Sequence, residues 1–277
     1  NEEISNCDNV KAILRGNFIW WKLLAALNRT PKERKTLKSM LYPAVHMVSS
    51  KSKLDLESDP LAIYRKSIMD EELRTAQKSS RNPHIPVAEA IKLPDVRATY
   101  ISNMQHLREL TTEFLTVLSD NVDRLPYHIR FAAREIYNIC KTKFPEEGED
   151  RLLSVIGHVV FNHYLNPASI SADNFGIVET ALGPTQTRNL TEITKVLSQI
   201  SLLKPFSRED IYLRSLNEDV KIAINQAKDI FREVINVPDL GQQYNTSVYD
   251  DLTSHERPLL YIKTSDIFSI HSLVAHE

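Results

Sequence analysis

The sequence predicts an all-α fold, in which several helices pack around one central buried helix. Only 6 of the 277 residues are glycine, and scarce glycine is typical of chains with few tight hairpin turns. Most of the 13 prolines stand at segment ends, where proline begins or ends a helix. With 42% hydrophobic residues, the chain is also apolar enough to bury a sizeable core.

The first helices are predicted from apolar spacing and capping residues. Residues 2–14 form a weak amphipathic helix that the pair Arg15-Gly16 interrupts. Asn17 is placed to cap a second helix over 18–28, because an asparagine side chain accepts hydrogen bonds from the first turn. The aromatic and leucine content of that second helix predicts that it belongs to the core.

Proline and aspartate define the next segments. Residues 32–50 continue helically, and Pro43 is expected to kink or divide them. Asp59-Pro60 begins a helix through about residue 73, since aspartate caps a helix and proline fits its first turn. Residues 76–93 are predicted to be a loop with one helical turn.

The second half of the chain carries the longest and the most apolar helical patterns. An apolar stripe predicts a helix over 95–121, and Pro126 begins another. Residues 151–165 are apolar nearly all round, which predicts the central buried helix. Three more helices are predicted, over 187–203, 208–236 and 265–275. Residues 258–263 are the one strand candidate.

Composition excludes several classes of function. The charges nearly cancel, with 34 basic and 36 acidic residues, so no nucleic-acid footprint is expected. Cys7 and Cys140 are far apart in the chain, which favours a reduced, cytoplasmic protein. The nine histidines lack ligand spacing, and His158 and His163, five residues apart, are not expected to share a helix face, so no metal site is predicted. No phosphate-binding loop occurs, so the chain itself is not expected to bind nucleotide.

Two short motifs carry the functional interpretation. The first, Leu14-Arg15-Gly16-Asn17, would place an arginine on a loop, with a glycine that permits close approach of a partner's backbone. The second, Phe161 to Ala168, reads FNHYLNPA and ends the most apolar helix. Taken singly, the first motif describes an ordinary surface arginine before a helix cap, and Asn166-Pro167 describes a helix terminator.

Together the two motifs resemble the arginine-finger loop and the FLR…NPA signature of Ras GTPase-activating domains. The text FPEEGEDRLLSVIGHVVFNHYLNPASISADNFGIV over 144–178 is similar to the IQGAP-like branch of that family, as are DPLAIYRKSI and RPLLYIKTSDIFSIHSLV. The resemblance covers the whole chain. It implies a RasGAP-like domain over 1–277, with a core over about 10–240 and a helical extension over 241–277, as part of a larger protein.

The resemblance also implies roles for individual residues. Arg15 would be the catalytic finger, inserted into the active site of a GTP-bound Ras-family GTPase. Support of the finger loop and contact with the GTPase are implied for two further sets: Leu14, Gly16, Asn17, Phe161, His163, Asn166 and Pro167 for support, and Arg188, Thr191 and Lys195 for contact. The domain would need no cofactor of its own, because GTP and Mg²⁺ are carried by the GTPase. A cytoplasmic protein recruited to the inner face of the plasma membrane by that partner is expected.

Two departures from the family pattern bear on activity. Animal IQGAP proteins carry threonine at the finger position and are taken as non-catalytic binders of Rho-family GTPases, whereas this chain has Arg15. The signature arginine that buttresses the finger loop is His163 here, and imidazole offers fewer N–H donors than guanidinium. A weaker buttress is therefore expected, unless His163 only faces the last carbonyls of its helix. Thr191 stands where neurofibromin has lysine, so the basic patch is thinner.

Overall fold

The computed structural model describes residues 2–27, 29–207, 210–245 and 262–275. The chain divides into two compact units, the first ending at Val237 and the second beginning at Pro238. Among the described residues all regular structure is helical, so the prediction of an all-α fold is confirmed. All but the last two residues of the strand candidate, 258–263, lie outside the described residues.

Helices of the first unit occupy most of its length. They are α1 (Glu2–Ser5), α2 (Val10–Arg15), α3 (Ile19–Leu27), α4 (Pro31–Ser49), α5 (Pro60–Thr75), α6 (Val87–Ala90), α7 (Pro94–Ser119), α8 (Tyr127–Lys143), α9 (Glu149–Gly157), α10 (Asn166–Ile170), α11 (Pro184–Ser201) and α12 (Asn217–Ile235). Two 3₁₀ turns, Val122–Arg124 and Leu213–Leu216, precede α8 and α12, and a π-helix, His158–Leu165, joins α9 to α10. The second unit contains α13 (Leu240–Tyr244) and α14 (Thr264–Ala275). None of the helices in the described ranges is long and apolar enough to cross a membrane.

The N-terminal helices differ from the prediction in three details. The pattern over 2–14 is two helices, because the side chain of Asn9 accepts from the Ala12 N–H and starts α2 afresh. Arg15 is consequently the last helical residue of α2 and does not lie on a loop. The first amide of α3, at Ile19, donates to the Glu3 carboxylate at 3.0 Å, a capping role that had been expected of Asn17.

Two other helix predictions are narrowed or corrected by the structure. Of the two effects expected of Pro43, division of the helix does not occur, because α4 runs unbroken from Pro31 to Ser49. The helix predicted from 208 begins instead at Asn217. The side-chain amide of Asn217 bonds both the N–H and the carbonyl of Phe206, which ties the chain at Phe206 to the start of α12.

The centre of the first unit is the continuous helical segment formed by α9, the π-helix and α10. Its residues are among the most buried in the chain, which confirms the predicted central helix. Helices α8, α11 and α12 pack against it. Gly157 permits a close approach of α11, since a Cβ atom there would lie 2.3 Å from the Ser201 carbonyl oxygen. Because the central segment is packed on several sides, the positions of the π-helix side chains are fixed by the surrounding helices.

Candidate functional site

Arg15 ends α2 with its side chain exposed to solvent. Helix α2 is anchored by Val10 and Ile13, both fully buried, and it packs against α9. No hydrogen bond or ion pair joins the Arg15 guanidinium to any other part of the chain that the structure describes. The backbone around Arg15 is therefore held from the core side, while its five N–H donors face solvent.

The segment Gly16–Phe18 links α2 to α3 and is shaped by the glycine. The backbone of Gly16 is extended, with φ −68° and ψ 147°, which any residue adopts, so the need for glycine is steric. A Cβ atom at Gly16 would lie 2.3 Å from the Phe18 ring. Leu14 is half-buried and packs on the core, whereas Asn17 is exposed.

Aromatic rings continue from the linker into α3. The Phe18 ring stacks on Trp20, with centroids 5.8 Å apart and planes at 14°. Trp21, the next residue, stacks face to face on the His163 imidazole at 3.8 Å and 11°. Its ring is 5% exposed, so α3 is attached to the π-helix by a buried aromatic contact.

His158 and His163 lie side by side, contrary to the expectation that residues five apart would not share a face. Their Nε2 atoms are 3.2 Å apart. The reason is the π-helix, whose i→i+5 repeat brings residues five apart onto one side. Burial lowers the pKa of His163 to about 4, with a smaller contribution from the neighbouring His158, and burial also lowers the pKa of His158. Both rings are accordingly neutral at pH 7.

A hydrogen-bond network leads from the histidine pair to α11. The Asn166 amide nitrogen donates to the Ser198 hydroxyl at 2.8 Å and to Asn162 Oδ1 at 3.2 Å. Asn162 consequently presents its own nitrogen to His158 Nδ1, at 2.7 Å. His158 Nδ1 must then accept, so His158 carries its proton on Nε2 and donates it to His163.

A groove of about 770 Å³ opens beside this network. Five of the residues singled out from the sequence line it: His163, Asn166, Pro167, Thr191 and Lys195. The groove thus joins the end of the second motif to one face of α11. Arg15 is not among the lining residues, while Arg29, which follows α3, is.

The cationic residues of α11 differ in their availability. Lys195 is about half exposed at the groove and pairs with the buried carboxylate of Glu192. Arg188 does not line the groove, and its guanidinium donates to Asp55 at 2.6 Å and lies 3.8 Å from Glu57. A GTPase contact by Arg188 stays a prediction, and it would require this guanidinium to exchange its intramolecular acidic partners.

Phe161 is placed on the other side of the π-helix. Its ring is fully buried and meets the Phe231 ring of α12 edge to face, with centroids 5.6 Å apart. The aromatic residue of the second motif therefore packs into the core between the central helix and α12, and it does not line the groove. Its predicted role in supporting the finger loop remains untested.

Sequence reasoning missed two residues that the fold brings to this site. The sequence predicts Trp21 only as part of the apolar helix over 18–28, and the five-residue spacing from His163 gives no reason to pair His158 with it. An aromatic residue six positions after Arg15 carries no specific signal, and the π-helical repeat that pairs the histidines is not encoded in a 3.6-residue period. Within the described ranges, no group of three or more potential metal ligands is present.

Comparison with known proteins places these observations in a family context. The sequence profile of one family, described as GTPase-activator protein for Ras-like GTPase, matches residues 1–202. The chain is 30% identical to the human Ras GTPase-activating-like protein IQGAP2, over 99% of this chain and 18% of that protein. It is 29% identical to the Ras GTPase-activating-like protein IQG1 of Candida albicans, over 98% of the chain and 17% of that protein. It is 25% identical to the Ras GTPase-activating-like protein rgaA of Dictyostelium discoideum, over 99% of the chain and 33% of that protein. The chain thus spans a third or less of the length of each of these relatives.

Proposed function

Because the chain belongs to the family of GTPase-activator proteins for Ras-like GTPases, we propose that it accelerates GTP hydrolysis by a Ras-family GTPase, with Arg15 supplied in trans. The observation that carries the proposal is the state of Arg15: exposed, without an intramolecular partner in the described structure, and at the end of a helix that Val10 and Ile13 anchor in the core. A guanidinium held in this way keeps all its donors for another protein's active site.

The chemistry requires only positive charge in the right place. When water attacks the γ-phosphorus of GTP, negative charge develops on the γ-phosphoryl oxygens and on the oxygen that bridges to the β-phosphate. The N–H groups of Arg15 would donate to those oxygens and exclude water from them. In Ras and its relatives, for which the effect is best known, such a finger gives roughly 10³–10⁵ in rate, or about 4–7 kcal/mol of barrier.

The groove supplies a surface for orienting the GTPase. Lys195 projects from it with about half of its side chain exposed, and its partner Glu192 is almost fully buried. The ammonium can reach an acidic group on a docked protein while the carboxylate behind it stays fixed. Thr191 lies along the same wall, with its hydroxyl donating to the Thr187 carbonyl at 2.8 Å.

A second candidate function is a non-catalytic module that binds GTP-loaded Rho-family GTPases as a scaffold. The similarity to IQGAP2 over 99% of the chain favours it. Arg15 opposes it, because a binding module has no need for an unpaired guanidinium at the finger position. The two functions differ in one measurable property, the rate of GTP hydrolysis on the bound GTPase.

Single-turnover hydrolysis on purified Ras-family and Rho-family proteins separates the two. The wild-type domain is expected to accelerate hydrolysis by at least one Ras-family protein, and Arg15→Ala to lose about 10³-fold or more. Arg15→Lys keeps the charge but not the planar fork, so most of the loss should persist. Lys11→Ala removes an exposed cation from the same helix and is the matched control, with activity unchanged. Binding of GTP-loaded Rho proteins with no acceleration on any GTPase would establish the scaffold function instead.

A further inference from the structure

We propose that Trp21 and His158 are positioning residues for the Arg15 finger, acting through the ring of His163. We call the rings of Trp21, His158 and His163 the clasp. This inference deepens the proposed function and rests on it, because a finger needs a fixed position only if it enters an active site. In the family pattern an arginine bonds to the finger loop at the place of His163, and here stacked rings would hold the loop instead.

Trp21 is held in place by its ring contacts. Its indole Nε1 is buried and has no hydrogen-bond partner among the described residues, so no directional bond fixes the side chain. One face rests on His163 at 3.8 Å, and the edge of His158 lies 5.4 Å away at 83°. The Trp20 ring lies against the indole as well, at 3.3 Å, but Trp20 belongs to the same helix. The two imidazoles are therefore the ring contacts that tie the indole, and the α3 backbone that carries it, to the π-helix.

His158 bonds one nitrogen of the His163 ring. The stack with Trp21 restrains the plane of the imidazole and does not define which nitrogen faces inward. The N–H from His158 Nε2 to His163 Nε2, at 3.2 Å, fixes that nitrogen. His158 is fixed in turn by Asn162, which is aligned by Asn166. Asn166 is held in turn by Ser198 of α11, so the network ties the histidine pair to the packed helices around it.

The clasp reaches the finger through the linker. Trp21 is only six residues beyond Arg15, and between them the Phe18 ring covers Gly16 and stacks on Trp20. Phe18 also lies 6.4 Å from Trp21. Displacement of α3 would therefore move the ring that lies against Gly16, and with it the end of α2 from which Arg15 projects. The expected effect is on the geometry of the finger, while Thr191 and Lys195 on the groove wall keep their own contacts.

The test uses hydrolysis kinetics with the same domain. His158→Leu removes the donor to His163 and should lower kcat about three- to tenfold, the range for loss of one hydrogen bond. The concentration of domain that gives half-maximal rate should change less than about twofold, because Thr191 and Lys195, the proposed GTPase contacts in the groove, are left in place. His158→Gln restores an amide donor and should recover most of the loss. His106→Gln, an exposed histidine on α7, is the control and should match wild type.

Tryptophan emission gives an independent readout of the clasp. The chain has only two tryptophans, so in a Trp20→Phe background the emission comes from Trp21 alone. Adding His158→Leu to that background should raise quenching by acrylamide, since the indole loses its fixed neighbour. Adding His106→Gln should not change it.

The outcomes distinguish this inference from the function on which it rests. A fall in kcat with little change in half-maximal concentration, together with greater Trp21 quenching, supports the clasp. Unchanged kcat in His158→Leu overturns it while leaving the proposed function intact. An equal loss of kcat and affinity that follows a loss of folding stability, with no recovery in His158→Gln, also overturns it, because His158 would then be merely structural. No acceleration by the wild-type domain on any GTPase overturns the proposed function itself.

Discussion

The Gly16→Ala substitution tests whether the Phe18 ring is what requires glycine in the linker Gly16–Phe18. The backbone at Gly16, with φ −68°, suits alanine, so the change alone should stabilise the fold by about 0.4–1 kcal/mol through the unfolded chain. The new methyl group, however, would lie 2.3 Å from the Phe18 ring, well inside contact distance. Phe18 must swing away, and it then loses its stack on Trp20 and part of its burial.

The expected change in the free energy of unfolding follows from these opposing effects. Loss of an aromatic stack costs about 0.5–1.5 kcal/mol, and exposing a half-buried phenylalanine adds about 1 kcal/mol. After the gain from the unfolded state is subtracted, Gly16→Ala should lower the free energy of unfolding by about 1 kcal/mol. In a Phe18→Ala background the obstructing ring is gone, so the same substitution should instead stabilise by about 0.4–1 kcal/mol.

Urea unfolding of the four proteins in this double-mutant cycle gives the coupling directly. The expected interaction between positions 16 and 18 is about 2 kcal/mol, well above the few tenths found for independent sites. Equal effects of Gly16→Ala in both backgrounds would refute the steric reasoning. Hydrolysis kinetics on the same set should show activity falling with Gly16→Ala, because Arg15 directly precedes the linker.

Two further predictions concern the central helical segment. Because burial lowers the pKa of His158 and lowers that of His163 to about 4, the folded protein binds fewer protons than the unfolded chain between about pH 6.5 and 4. The free energy of unfolding should therefore fall as the pH drops through that window, by on the order of 1–2 kcal/mol once the partial exposure of His163 is allowed for. Urea unfolding at several pH values measures this change. A His163→Gln variant with an equally steep pH dependence would contradict the assignment. Gly157→Ala would place a Cβ atom 2.3 Å from the Ser201 carbonyl oxygen. The substitution should lower the free energy of unfolding, measured in urea, by about 1–3 kcal/mol. An unchanged free energy of unfolding would mean that α11 moves away freely.

Much of the fold was predictable because its signals are local. Helix starts at Pro60, Pro94 and Tyr127 follow from proline and from an aspartate cap within one turn of the boundary. The apolar surface of residues 151–165 indicated a buried central helix, and the two motifs indicated the family. Each of these signals lies within a few residues of the feature that it predicts.

Contacts across long sequence separations were decided only by the tertiary structure. Glu3 caps α3 from sixteen residues away, and Asp55 engages Arg188 across 133 residues of chain. Neither pairing leaves a trace in local spacing, because a hydrogen bond made by packing depends on which helices become neighbours. For the same reason the sequence could mark Arg188 as a candidate contact but could not indicate that an acidic partner already holds it.

The site divides in the same way. The sequence by itself indicated Arg15 as the finger candidate and placed His163 where the second motif is expected to carry an arginine. Only the tertiary structure decided how that histidine is used, because a π-helical repeat rotates it toward His158 and the packing of α3 lays Trp21 on its face. The sequence gives the chemical type of each side chain, whereas the direction in which a side chain points depends on the backbone geometry and packing of the whole domain.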